Sequence, residues 1–232
     1  MTTFFSTELT MRLLNHCLVD KRFEGRNTEK IGRFLKQVSD YGWFTENIDT
    51  ITNKEINILI GYMYSNQIDE VDKYYLNHFK KNFKRLKDII IEKNLRRKGI
   101  LQEAFDSFEQ KRYNSAIVLL LTQIDGICYD YYGEKFFLND ARNNYKPKVL
   151  PIIQNDLLEQ QHFALNCIEQ KSPINIHESK LDSFKVKLNR HEIIHGIDVD
   201  YGSEQNAFKI LSMLAYLTKT IELGLSIKLQ SK

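Results

Sequence analysis

Near the C-terminal end, residues 188–196 (LNRHEIIHG) place an arginine, Arg190, and a histidine, His195, with four residues between them. A guanidinium group binds phosphate oxygens through paired hydrogen bonds, and an imidazole can accept or donate a proton near neutral pH. This pair is the minimum equipment for cleaving RNA without a metal ion or other cofactor. RNA is the expected substrate because its ribose 2′-hydroxyl would act as the nucleophile, and DNA lacks that group.

The spacing of the pair sets a geometric condition. On a continuous α-helix a five-residue step turns about 500°, so the two side chains lie about 140° apart. They can converge if the helix ends or tightens at Gly196, since glycine commonly stops a helix. We expect a helix over 181–195 that ends there. We also expect support from two neighbours: His191 would orient the pair or bind phosphate, and Asn189 would contact RNA or cap a neighbouring helix.

A second chemistry shares the same histidine. The segment His191-Glu192-Ile193-Ile194-His195 is an HExxH pattern, in which two histidines bind zinc and the glutamate acts as base. A third ligand would come from one of the acidic residues that follow: Asp198, Asp200 or Glu204. A zinc-dependent hydrolase ranks second, because the chain lacks signs of a strand-rich lobe and of a glutamate ligand at the usual separation.

Composition bounds the class of protein. The chain has 232 residues, 42% of them hydrophobic and 27% charged, and only three prolines and ten glycines, which favours a helical globular fold. The cysteines are odd in number (Cys17, Cys128 and Cys167) and lack CxxC spacing, so they indicate reduced thiols in the cytoplasm. We expect no signal peptide and no membrane partner, because no apolar stretch approaches the roughly 20 residues that span a bilayer.

The net charge is only +3, so affinity for nucleic acid would depend on local clusters. The most basic region is a long helix after Asp69 and the residues that follow it. An apolar stripe of this helix is expected to be buried, and its other faces are basic. Candidate contacts to an RNA backbone are Lys80, Lys84, Arg85, Lys87, Arg96 and Arg97. The alternative interpretation is an ordinary solvated helix face.

Hydrophobic periodicity predicts an all-α fold. The predicted helices cover about 7–19, 28–38, 52–64, 69–98, 100–111, 113–128, 156–170, 181–195 and 204–229. Thr52 and Glu55 have capping-box spacing, and Ser203 is a predicted N-cap of the last helix. The helix over 113–128 is apolar on most sides and should lie at the centre. Asp125, which interrupts it, is expected to bind a neighbouring arginine or a backbone amide, because buried polar groups need partners.

Residues 189–196, continued by 200–206 (DYGSEQN), resemble the HEPN superfamily, all-α domains whose nucleases carry an Arg-x4–6-His motif. The resemblance covers about 97–232, and residues 1–96 are predicted to form a helical N-terminal region of unknown role. It implies a helical bundle that dimerises and joins two motifs in one composite RNA-cleaving site. Arg190 and His195 match the motif, and His191 matches the polar residue after its arginine. Such proteins act as toxins or antiviral defence effectors, with antitoxin or regulatory partners; some members only bind RNA or partners.

Overall fold

A computed structural model describes residues 28–141, 146–169 and 171–230, and within them the fold is all-α, as predicted. The helices are α1 (Thr28–Asp40), α2 (Asn53–Tyr64), α3 (Ile68–Lys93), α4 (Lys98–Glu109), α5 (Tyr113–Tyr132), α6 (Leu150–Asp156), α7 (Asn166–Glu169), α8 (Arg190–Ile194) and α9 (Glu204–Gln230). Four 3₁₀ helices join them, over Ile48–Thr50, Leu95–Arg97, Glu159–Leu165 and Glu178–Ser183. The predicted helix over 7–19, with Cys17, lies outside the described residues.

The strands are minimal. β1 (Asn139–Asp140) pairs with β2 (Lys146–Pro147) in an antiparallel ladder of two residues each. They lie in the stretch between the predicted helices over 113–128 and 156–170. The helix expected over 156–170 is instead mostly 3₁₀, with α7 following it.

The centre of the bundle is α5, which packs between α4 and α9. Its fully inaccessible residues Ala116, Leu120, Ile124 and Ile127 lie on one face of the helix, and the buried residues Ile117, Leu121 and Cys128 widen that face. The continuous apolar sequence predicted a central helix, and the exposed residues Thr122 and Tyr129 show that one side of it still faces solvent. Cys128 is also buried and reduced, and burial raises the pKa of its thiol to about 12.

Local capping signals place the ends of two helices. The Thr52 hydroxyl accepts a hydrogen bond from the Glu55 amide at 3.2 Å, and the Glu55 carboxylate accepts one from the Thr52 amide at 2.8 Å. Ser203 Oγ accepts from the Asn206 amide at 3.1 Å at the start of α9. Both predicted caps are confirmed, because each depends only on residues within one helical turn.

The last helix departs from one expectation. By length and composition, the stretch Glu204–Leu229 is apolar enough to cross a membrane, so the expectation that no segment reaches that length is wrong. Of an apolar run of 18 residues within this stretch, 67% is buried inside the protein. Phe208, Leu211, Leu214 and Leu217 of this helix are all buried. The apolar character of α9 is therefore used in packing against α3, α5 and α6.

The N-terminal helices share this core. Buried side chains from Ile31 in α1 to Ile221 in α9 form one continuous cluster. A buried carboxylate also connects the N-terminal helices to α9. Asp72 of α3 binds Lys209 Nζ of α9 at 3.0 Å and accepts a hydrogen bond from Trp43 Nε1 at 2.6 Å. The division into regions 1–96 and 97–232 stays a prediction.

Candidate functional site

The helix that carries the arginine and the histidine is much shorter than predicted. It covers only Arg190–Ile194, residues 181–183 end a 3₁₀ helix, and residues 184–189 are not helical, so the helix expected over 181–195 is wrong. The overlooked signal is alternation: Lys185 and Lys187 are exposed, whereas Val186 is partly buried and Leu188 is buried. A period of two is typical of extended chain rather than helix.

Asn189 fixes where α8 begins. Its side-chain oxygen accepts hydrogen bonds from the amides of His191 at 2.9 Å and Glu192 at 3.2 Å, which is N-capping of its own helix. Its amide nitrogen donates to the carbonyls of Pro173 at 2.8 Å and Ile176 at 3.0 Å. Asn189 is completely buried. It therefore cannot contact RNA, and its supporting role is to position α8 against the turn over 173–176.

We expect Asn189→Ala to destabilise the fold by about 2–4 kcal/mol. The loss of an N-cap costs about 1 kcal/mol, and two buried carbonyls lose their donor at about 1–3 kcal/mol for an unsatisfied group. Urea denaturation measures the change. Asn189→Asp keeps the capping oxygen but places a carboxylate against the two carbonyls, so it should also be unstable. Asn57→Ala, at an exposed position on α2, is the matched control and should change stability by less than about 0.5 kcal/mol. Equal stability of Asn189→Ala and Asn57→Ala would contradict this role.

Arg190 is the first residue of α8, and its guanidinium is held from two sides. Nη2 lies 3.3 Å from Asp125 Oδ2, and Cζ lies 5.1 Å from the centre of the Phe137 ring. The other carboxylate oxygen of Asp125 accepts from the Phe137 amide at 2.9 Å. The predicted partners of Asp125, an arginine and a backbone amide, are both confirmed. With 32% of its side chain exposed, Arg190 is oriented but still accessible to a phosphate.

Three histidines, His177, His191 and His195, form a row on the surface. The ring centres of His191 and His195 are 4.3 Å apart, and His177 lies 6.1 Å from His191 in a near-parallel orientation. His191 Nε2 is 2.7 Å from Glu178 Oε2. Neither His177 nor Glu178 was expected from the sequence, because both come from another segment and no local pattern marks them.

His195 is the C-cap of α8 and is exposed, and the chain leaves the helix at Gly196 with φ of +70°. The helix stop predicted at Gly196 is thus confirmed. Among the residues that the structure describes, no hydrogen bond or ring contact joins Arg190 to His195. They occupy the two ends of α8, with His191 in contact with the His195 ring between them.

A metal site of the HExxH kind would need a third ligand. Within residues 28–141, 146–169 and 171–230, no three His, Cys, Asp or Glu side chains are grouped so that they could hold a metal ion. Glu204, one of the expected third ligands, instead binds Lys80 at 2.7 Å. The described residues therefore offer no third ligand for the two histidines of the HExxH pattern.

Most of the basic candidates are paired with carboxylates. Lys80 binds Glu204, Arg85 lies near Glu46, Lys87 binds Glu109, and Arg96 and Arg97 both bind Asp130. Lys84 is exposed on α3. The proposed RNA contacts stay a prediction. The Arg97 guanidinium also donates to the Gln123 side-chain oxygen at 3.2 Å, so its donors are directed into the protein and its role is structural.

The Arg97–Asp130 pair should make stability depend on pH. Arg97 holds the pKa of the Asp130 carboxyl below its ordinary value of 3.8 through two hydrogen bonds, at 2.7 and 3.0 Å. A carboxyl with a lowered pKa stabilises the fold above its ordinary pKa, and this contribution is lost as pH falls through the lowered value. Asp130→Ala should cost about 1.5–3 kcal/mol at pH 7, and the difference from wild type should shrink below about pH 4.

Denaturant melts at pH 3 and pH 7 measure this difference. Asp88→Ala, at an exposed position of α3, is the control and should change stability little at either pH. A constant penalty for Asp130→Ala across the range would show that the ion pair is not its source.

A cleft of about 390 Å³ lies beside the candidate pair. Arg190 and His191 line it, together with Phe137, Asn139 and residues of the 171–180 segment. Comparison of the chain with known proteins finds no matching family, no matching curated protein and no matching solved structure. The functional interpretation therefore depends on the geometry of this site and on the resemblance of its motif.

Proposed function

We propose that this protein is a metal-independent endoribonuclease of the HEPN type. The observation that carries the proposal is the placement of Arg190 and His195 at the two ends of a five-residue helix, both accessible, with His191 between them. The proposed setting is that of a toxin or antiviral defence effector in the cytoplasm, held by an antitoxin or another regulatory partner.

The chemistry needs one proton acceptor and one proton donor. A base removes the proton of the ribose 2′-hydroxyl, the 2′-oxygen attacks phosphorus, and the bond from phosphorus to the 5′-oxygen breaks. An acid gives a proton to that leaving oxygen, so the products are a 2′,3′-cyclic phosphate and a 5′-hydroxyl. His195 can serve in either role. Arg190 would neutralise charge on the non-bridging oxygens of the transition state.

Asp125 and Phe137 support this role of Arg190. A guanidinium held by a carboxylate and a ring needs no reorganisation when phosphate arrives, and prior orientation is a large part of electrostatic catalysis. Asp125 bonds Nη2, so the other nitrogens of the fork can still donate to a phosphate. Glu178, whose Oε2 lies 2.7 Å from His191 Nε2, would orient that imidazole in the same way.

A second copy of the chain would complete the site. Apolar side chains next to His195 are exposed: Ile194 at 37%, Ile197 at 60% and Val199 at 71%. Apolar groups clustered beside a polar motif are typical of a protein interface. In a symmetric pair the two His195 side chains would act as base and acid.

The proposal is tested with a labelled RNA oligonucleotide in EDTA and with the same strand carrying 2′-deoxyribose at the cleaved position. We expect cleavage of the first strand only, with a 2′,3′-cyclic phosphate at the new end. Cleavage of both strands would contradict the 2′-hydroxyl mechanism. Loss of cleavage in EDTA with recovery in zinc would support the HExxH alternative.

A further inference from the structure

The cleft beside Arg190 has features that phosphate cleavage alone does not use. Its volume of about 390 Å³ is within the range of small-molecule sites. The wall over 173–176 is fixed by the hydrogen bonds of Asn189 and by the Arg190 amide, which donates to the Ile174 carbonyl at 3.0 Å. The cleft is thus formed before any ligand binds.

One polar atom in this cleft lacks a partner. Asn139 Oδ1, on the short strand β1, is buried and has no hydrogen-bond partner among the described residues. Buried carbonyl oxygens nearly always accept a hydrogen bond, and one left unsatisfied costs free energy. A ligand that brings an N–H donor to this oxygen would remove that cost.

Other residues of the lining supply donors. Asn175 uses its side-chain oxygen to accept from the Ser172 amide at 2.8 Å and the Ser172 hydroxyl at 3.2 Å, which leaves its Nδ2 group as the donor. His177 Nδ1 accepts from the Ser179 amide at 3.3 Å. In a neutral ring this bond places the proton on Nε2, which can then donate.

The remaining lining suits a flat group attached to an anion. The half-buried Phe137 provides apolar surface, and Arg190 and Lys180 provide positive charge. Lys180 is exposed and forms no ion pair within the described residues. A nucleotide joins these three properties: a flat base, an edge with donors and acceptors side by side, and a phosphate.

We propose that the cleft binds one nucleotide of the RNA substrate, with its base edge donating to Asn139 Oδ1 and its phosphate held by Arg190 and Lys180. This inference rests on the proposed nuclease function and adds a base-reading residue to it. Asn139 would then set which base lies next to the cleaved bond.

Binding can be measured without cleavage. We would titrate the His195→Ala protein, whose substitution lies outside the cleft lining, with AMP, CMP, GMP, UMP and inorganic phosphate by calorimetry. At least one nucleotide should bind about tenfold more tightly than phosphate. Lys180→Ala should weaken nucleotide binding several-fold, and Lys185→Ala, an exposed lysine outside the cleft, should leave it unchanged. Phosphate binding as tight as any nucleotide would overturn the proposal.

The role of Asn139 is tested with a matched ligand pair. Purine riboside 5′-monophosphate has the ring of AMP without its amino group, so it should bind about tenfold more weakly than AMP. Asn139→Ala should abolish this difference with little change in melting temperature, because the oxygen has no partner to lose within the part of the chain that the structure describes. An Asn139→Ala protein that keeps the wild-type order of affinities for the four nucleotides and for this analogue would overturn the assignment.

The two proposals can fail separately. Nucleotide binding that depends on Asn139, together with no RNA cleavage by the wild-type protein, would reject the nuclease and keep the cleft as a nucleotide site of a binding module. RNA cleavage whose base preference is the same in wild type and Asn139→Ala would keep the nuclease and reject the base-reading cleft.

Discussion

Replacing Arg190 or His195 by alanine should lower kcat/KM for RNA cleavage by at least about 10²-fold. A positioned general acid or base contributes about 10²–10⁴-fold, and one donor to a developing oxyanion contributes about 10²–10³-fold. The two residues act on one transition state, so the double variant should lose much less than the product of the two single losses. The measurement is the initial rate of cleavage of a labelled RNA in EDTA.

Three controls separate this loss from unfolding and from zinc chemistry. Arg33→Ala, at an exposed position of α1, should keep full activity, and all variants should melt near the wild-type temperature. Glu192→Gln should also keep activity, since Glu192 acts only in the HExxH mechanism. Activity lost in Glu192→Gln and kept in Arg190→Ala would reject the proposed function in favour of the metal site.

A smaller loss is expected for Asp125→Asn. The amide keeps an oxygen that can accept from the Phe137 backbone, but it removes the charge that orients Arg190. If Asp125 acts only through Arg190, then Asp125→Asn should have no further effect in the Arg190→Ala protein. An additional loss in that background would give Asp125 a role of its own.

Local signals in the sequence predicted much of the fold. Thr52 and Glu55 are one helical turn apart, so the capping box needs nothing from the rest of the chain. The same holds for the apolar stripe of α9 and for the helix stop at Gly196. Each of these features arises from contacts between residues close in sequence, which patterns of residue type describe well.

Other features depend on distant residues. Nothing in the sequence pairs Arg190 specifically with Asp125, 65 positions earlier, or brings Glu178 to His191. The beginning of α8 was mispredicted for a related reason. Asn189 caps the helix while it binds the turn over 173–176, and that tertiary anchor overrides the weak helical pattern before it.

Lys209 is the clearest case of a residue whose role required the structure. In sequence it is a basic residue within the apolar stripe of α9, yet only 1% of it is exposed. Its ammonium group is paired with Asp72, and it lies 5.5 Å from the centre of the Trp43 ring. The Asp72 carboxylate also accepts from Gln205 Nε2 at 2.6 Å, so α3, α9 and the segment after α1 meet at one buried charge pair.

Asp72→Asn should therefore destabilise the protein by about 3–5 kcal/mol. Breaking a buried pair from one side leaves an uncompensated charge in a poorly solvated place, which costs far more than an exposed pair is worth. Urea denaturation at pH 7 measures the change. Asp88→Asn, on an exposed part of the same helix, should stay within about 0.5 kcal/mol of wild type.

The double variant Asp72→Asn with Lys209→Met isolates the charge. The asparagine oxygen can still accept from Trp43, and the Gln205 side chain can turn its own oxygen toward the asparagine Nδ2 group. Methionine fills the space of lysine without an ammonium group. This protein should regain most of the lost stability, because buried ion pairs are often replaceable by neutral side chains of similar volume. A double variant no more stable than Asp72→Asn alone would show that shape rather than charge matters at this position.

The pH dependence of Asp72→Asn gives an independent check. Burial lowers the pKa of Lys209 from its ordinary 10.5, and the Asp72 carboxylate opposes that shift. Without the carboxylate the pKa of Lys209 falls further. The unfolded chain then holds, over a wider pH range, a proton on Lys209 that the folded chain has lost. Stability rises with pH wherever the unfolded state binds more protons. The gap between Asp72→Asn and wild type should consequently narrow as pH rises toward 10, and a gap that widens would contradict the assignment of Lys209 as the buried cation.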